Sequence, residues 1–134
     1  MQLSFPIHPL NLQIKNMNEQ YIYIASRTQT CMVELYRKAQ TQRTLDDLMK
    51  ERLCSKCMFI YSHALELIDA EESLTKLCLL KVIQSELNDL NGILLMGFQM
   101  GKLHSDICID FGSNYEEIRM ELRGSIETES SNLG

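Results

Sequence analysis

LTKLCLLKVIQSELNDLNGILLMGFQM, residues 74–100, is the most apolar long stretch of this chain. Within it Leu80, Ile83, Leu87, Leu90 and Leu94 recur at spacings of 3, 4, 3 and 4, which lays one stripe down a single helix face. Leu77, Cys78, Leu79 and Val82 widen that stripe at its start. A helix apolar over so much of its circumference needs neighbours on more than one side, so the pattern predicts a central helix with others packed around it.

The flanking sequence supports the same class. From Leu10 to Asn91 the chain contains neither Pro nor Gly, the two strongest breakers of regular structure. Long helices joined by short polar turns follow. Upstream, Leu10, Ile14, Met17, Tyr21, Ile24, Thr28, Cys31 and Leu35 alternate spacings of 4 and 3, a near-heptad stripe that suits a bundle or a coiled-coil seam. Ile22 and Tyr23 lie off that stripe. Pro6 and Pro9 make residues 1–9 an extended lead-in, with Phe5 and Ile7 available to tuck onto the bundle.

Thr44 followed by Asp46 and Asp47 reads as a helix start, an N-cap with acids in the first turn. Leu45, Met49, Leu53, Ile60, Ala64 and Leu67 then mark a buried face as far as Ile68, and a turn falls near Asp69–Ser73. Gly92, Gly97 and Gly101 signal that the richest helix is ending. Lys102–Gly112 reads as a connector, and Ser113 with Glu116 as the capping box of a short helix whose inner face carries Ile118 and Leu122.

The predicted fold is therefore all-α: an up-and-down bundle of three long helices, about 10–40, 45–68 and 70–100, plus a short one at about 114–124. Residues 1–124 form one domain, and 125–134, with little apolar content, form a disordered tail. At 134 residues, a single domain can bury a core without disulfide or metal staples.

Charge and cysteine usage bound the function. Residues 1–64 hold eight Lys/Arg against five Asp/Glu, or +3, whereas 65–134 hold five against thirteen, or −8. An acidic half and a diluted basic group (Arg37, Lys38, Arg43, Lys50, Arg52, Lys56) argue against nucleic acid as a partner. No run of apolar residues is long enough to span a membrane, and no secretory leader is recognisable, so membrane insertion is not expected. Five Cys in no disulfide pattern suit a reducing compartment, cytoplasmic or nuclear.

Candidate chemistry is sparse. Cys54-x2-Cys57 and His104-x3-Cys108 together supply a tetrahedral zinc set, but the first pair sits inside a predicted helix, where packing is the simpler role. Cys31 and His63 lack an orienting third group and an oxyanion site. The carboxylate pairs Asp46–Asp47, Glu71–Glu72 and Glu116–Glu117 stand at helix starts, where the macrodipole explains them. Tyr115-Glu116-Glu117-Ile118 matches the form of a phosphotyrosine ligand, unless Ile118 packs inward. No P-loop, GxGxxG or HExxH occurs, and no cofactor is expected.

Met32-Val33-Glu34-Leu35-Tyr36-Arg37-Lys38-Ala39 resembles the first helix of microtubule-interacting and transport domains, and Tyr61-Ser62-His63-Ala64-Leu65-Glu66-Leu67 is similar to their second. That resemblance implies a helical groove for amphipathic helices of trafficking proteins.

The residues themselves point to a non-enzymatic protein–protein interaction module or adaptor, self-assembling or binding an amphipathic helix of a partner. The alternative is a zinc-binding or Cys/His-dependent protein using Cys54, Cys57, His104 and Cys108. A short fourth helix cannot cover all of Ile93, Leu94, Leu95, Met96, Phe98 and Met100, which predicts a homodimer or a partner on Ile93, Leu95, Met96, Phe98 and Met100.

Overall fold

The computed structural model describes the backbone of residues 9–133 and the side chains of residues 19–133. The lead-in with Phe5 and Ile7, and the side chains of Leu10, Ile14 and Met17, lie outside the described residues. The described residues form four helices: α1 Pro9–Thr41, α2 Asp47–Asp69, α3 Ser73–Gln99 and α4 Ser105–Leu133. All are long, and the described residues contain no strand.

The first three match the sequence expectation closely. α1 opens with Pro9, whose fixed φ and missing N–H suit a first helical position. α2 starts two residues later than Thr44 suggested. Asp46 is its cap, accepting a bond from the Met49 N–H at 2.8 Å, while Thr44 Oγ1 donates to the Lys102 carbonyl instead. Leu45 is buried in the connector just before that cap. Leu53, Cys57, Ile60, Ala64 and Leu67 form the inner stripe of α2, and Leu80, Ile83, Leu87, Leu90 and Leu94 that of α3. Cys78, read as part of the α3 stripe, is exposed.

α3 ends in a Schellman motif. Gly101 takes φ of +73°, a left-handed conformation that costs a side-chain-bearing residue. Its N–H donates to the Phe98 carbonyl at 3.0 Å, and the Lys102 N–H reaches back to Gly97 at 2.8 Å. Gly97 serves close packing, since a Cβ there would stand 2.8 Å from Leu103 Cδ1.

α4 corrects the sequence reading most. A short helix at 114–124 and a disordered 125–134 give way to one helix from Ser105 to Leu133. The connector expected over Lys102–Gly112 shrinks to residues 100–104, and the His104 ring nitrogen Nδ1 accepts the Asp106 N–H at 3.2 Å at the new start. Ile107 and Phe111 are buried four residues apart, and that burial outweighs the roughly 1 kcal/mol that Gly112 costs inside a helix. Downstream, Ile118, Leu122, Ser125 and Glu129 continue the same inner stripe at spacings of 4, 3 and 4. Its last two members are polar, so composition alone placed them in solvent.

The long α4 also removes α3 from the centre. Each of α1 and α3 packs on both α2 and α4, and among the described residues neither diagonal pair approaches closely. Bonds between helices run in opposite senses: Tyr21, Arg27 and Lys38 of α1 meet Glu129, Glu117 and Asp110 of α4. Four long helices around one core are consistent with an up-and-down bundle.

Candidate docking seam between the first two helices

Three of the four seams between neighbouring helices are bridged by polar side chains. Across α1/α4, Arg27 pairs with Glu117, and Lys38 Nζ lies 2.7 Å from Asp110. Across α2/α3, Lys56 reaches Glu86 at 2.5 Å and Asp89 at 3.7 Å. Across α3/α4, the Tyr115 hydroxyl donates to Asn88 at 3.2 Å.

The α1/α2 seam differs. Among the described residues its one side-chain bridge is a weak bond from Gln40 Nε2 to Cys54 Sγ at 3.2 Å, near one end. The rest is open, and although Ser26, Gln29 and Ser62 lie along it, its α2 side carries an apolar row. Met58, Tyr61, Leu65 and Ile68 follow one another on α2 at spacings of 3, 4 and 3, and their exposure runs from 36% at Tyr61 to 62% at Met58. This is a second stripe, displaced by one residue from Cys57, Ile60, Ala64 and Leu67, so it looks toward the seam and not into the core. Facing it on α1 are Ile22, Val33 and Tyr36, all exposed. Gln29 falls midway between Ile22 and Tyr36 in the same register, and its Nε2 is buried without a hydrogen-bond partner.

Two hollows lie along this seam. One of about 330 Å³ is lined by Val33, Tyr36, Met58 and Tyr61, with buried Met32 and Cys57 beneath. The other, about 550 Å³, lies where α1 meets the α2/α3 turn, against Ile22, Ile68, Asp69 and Glu71. A larger hollow of about 700 Å³ lies along α2/α3, but Glu51, Arg52, Lys56 and Glu86 line it beside Leu48, Phe59 and Ile93. Of its charged lining residues, Lys56 and Glu86 pair with each other.

The residues singled out from sequence are dispersed. Of the α3 set, Ile93 is half-buried against the core, whereas Leu95, Met96, Phe98 and Met100 are exposed. Helical register places Met96 and Met100 on the α2 side with Ile93, but Leu95 and Phe98 on the α4 side, so the five do not form one row. Leu94, counted with them as uncovered, is buried.

The four zinc candidates are not brought together. Cys57 is in the core, Cys54 bonds to Gln40, Cys108 Sγ lies 3.5 Å from the Leu94 carbonyl, and His104 is exposed. Among the described residues no three His, Cys, Asp or Glu side chains converge to hold a metal ion. Burial pushes the Cys31 and Cys57 thiols up to about 12, away from the thiolate that reactivity needs. His63 Nδ1 stands 2.8 Å from the Phe59 carbonyl, and its ring lies against Phe59. Ile118 is buried, so the Tyr-Glu-Glu-Ile stretch withholds its Ile from a phosphotyrosine reader, while Tyr115 stacks on Phe111 and bonds Asn88 through its hydroxyl. Glu116 is held below the usual carboxylate range by its hydrogen bonds to Arg119. No helix among the described residues is long and apolar enough to cross a membrane.

Val33, Tyr36, Tyr61 and Leu65 lie within the two stretches that resemble microtubule-interacting and transport domains; the periodicity reading passes over Ile22, Met58 and Ile68 as seam residues because they sit beside, not on, the core stripe. The spacing of Met58, Tyr61, Leu65 and Ile68 was the available signal. No protein-family model, curated protein or solved structure matches the chain.

Proposed function

We propose that this protein is a non-enzymatic interaction module, placed in the cytoplasm or nucleus, that receives an amphipathic helix of a protein partner along the α1/α2 seam. The observation that supports this reading is the contrast between seams. Among the described residues ion pairs cross the α1/α4 and α2/α3 seams and a Tyr115–Asn88 bond crosses α3/α4, whereas the α1/α2 seam, bonded only near one end by Gln40 and Cys54, exposes an apolar row from Met58 to Ile68 opposite Ile22, Val33 and Tyr36. An amphipathic helix fits such a row because its own apolar residues recur at the same spacings of 3 and 4. From Ile22 to Tyr36 the seam spans about 21 Å, or roughly four turns of a docked helix. The five free thiols accord with a reducing compartment.

The competing reading is a homodimer through the end of α3. Four exposed apolar side chains there support it, although the premise of a short fourth helix no longer does. Affinity capture with Leu65→Asp and Phe98→Asp variants separates the two. Both positions are exposed, so both variants should fold. Loss of a captured protein from Leu65→Asp alone favours the α1/α2 seam. Loss from Phe98→Asp alone moves the site to α3 and defeats this proposal.

A further inference from the structure

The seam is polar at its ends, and the ends differ in sign. Arg37 lines the hollow beside Tyr36 and Met58, and Asp69 and Glu71 line the hollow at the far end. Among the described residues none of these three makes an ion pair, although Arg27, Lys38 and Lys56 elsewhere on α1 and α2 all do. Lys76 also lines the far hollow, its Nζ 5.0 Å above the Tyr21 ring; that contact leaves its charge in place, so among the described lining residues two carboxylates against one ammonium make the far end net negative.

Resting on the docking reading above, we infer that the seam admits its partner helix in one direction only. The partner carries a basic residue and its N-terminus at Asp69 and Glu71, and an acidic residue and its C-terminus at Arg37, so it runs parallel to α1. Two effects add. Side-chain charges complement Arg37 at one end and the carboxylates at the other, and the helix macrodipole puts its positive end beside the carboxylates. The dipoles of α1 and α2 oppose each other and contribute little to the choice. Met58 stands in the Arg37 hollow and Asp69 lies eleven residues further along α2. The complementary charges on the partner should therefore be about eleven residues, or three turns, apart. The basic one comes first in sequence. That order is the reverse of the acid-first pattern that favours an isolated helix, so it serves as a recognisable mark of a true partner.

The test uses a displayed library of fifteen-residue helices with leucines fixed at spacings of 3 and 4 and both end turns randomised, selected on the full chain. Enriched helices should carry Lys or Arg in the first turn and Asp or Glu in the last, and should lose binding to Leu65→Asp. Binding of a synthetic winner should exceed that of its end-exchanged isomer by about tenfold, as several surface charge contacts changed from favourable to unfavourable would give. The order should invert on the triple variant Arg37→Glu, Asp69→Lys, Glu71→Lys. Enrichment that depends on Leu65 but shows no charge order overturns the polarity and leaves the seam standing. Enrichment indifferent to Leu65→Asp, or none at all, overturns both. A wild type that is dimeric in light scattering and becomes monomeric with Leu65→Asp names a second copy as the occupant and overturns the partner helix.

Discussion

Glu129 lies in the stretch that composition assigns to a disordered tail, yet it is 1% exposed. Its Oε1 accepts a hydrogen bond from the Tyr21 hydroxyl, and its Oε2 has no partner. Burial, and then the neighbouring carboxylate, raise the Tyr21 hydroxyl above its ordinary range, so it stays protonated and remains the donor. Tyr21→Phe keeps the ring under Lys76 and deletes only that donor. The carboxylate is then buried with neither oxygen bonded, and loss of a bond to a charged group plus its uncompensated desolvation should cost about 3 kcal/mol. At about 2.1 cal/mol/K of unfolding entropy per residue, 134 residues give about 0.28 kcal/mol/K, so the melting temperature should fall by roughly 10 °C.

Glu129→Gln behaves differently. It keeps an acceptor for Tyr21 and removes the cost of burying a charge, so its melting temperature should equal or exceed that of the wild type. Combined with Glu129→Gln, Tyr21→Phe should cost only about 1 kcal/mol, the worth of a neutral hydrogen bond. Calorimetry of the four proteins closes the cycle, with a coupling of about 2 kcal/mol. Equal, small losses for Tyr21→Phe in both backgrounds would refute the burial of Glu129, and with it the extension of α4 beyond Gly124.

Other consequences are quicker to check. Leu87 is fully buried, so Leu87→Asp places an unpaired charge in the core at several kcal/mol, comparable with the whole stability of a domain; a wild-type melt would remove α3 from the core. Gly101→Ala should lower stability by about 1 kcal/mol because of its positive φ, whereas Gly112→Ala, inside α4 with open space around its Cβ position, should raise it by up to about 1 kcal/mol. A neutral Gly112→Ala would restore a connector there. Exposed Cys78 should react first with a disulfide reagent, and Cys31 and Cys57 only on unfolding. Because burial pushes those two thiols from 9.0 up to about 12, the fold favours their protonated form. That contribution is complete below pH 9 and is lost as pH climbs toward 12, so urea midpoints should fall between pH 8 and pH 11.

What sequence could deliver depended on whether the inward residues were apolar. Leu80 to Leu94 are all buried, and every member of that stripe is Leu or Ile, so period and composition agreed. Along α4 they disagreed. Ser125 and Glu129 occupy inward positions that a hydrophobic pattern cannot register, and Gly112 with a plausible capping box at Ser113 offered a false start. The buried Ile107 and Phe111 outweigh both signals, a tertiary effect that no local window contains. The long α4 also removes one ground for a dimer through α3, since Leu94, uncovered beside a short fourth helix, is buried.

The seam poses the converse difficulty. Met58, Tyr61, Leu65 and Ile68 are apolar at helical spacing, so a pattern reading merges them with Cys57, Ile60, Ala64 and Leu67 into one broad buried face. Only the placement of α1 separates the two rows, because α1 covers the second and leaves the first at the rim. A single exposed apolar residue needs no explanation, but a row of four at helical spacing, with Ile22, Val33 and Tyr36 across the seam, is the feature on which the proposed docking rests. The other seams carry charged and polar side chains at their rims, and Leu65 is about half exposed, so a polar residue there is compatible with the fold. Replacing Leu65 by Asp should therefore leave the melting temperature nearly unchanged while abolishing docking. A Leu65→Asp variant that unfolds would instead return this row to the core and leave the seam without a function.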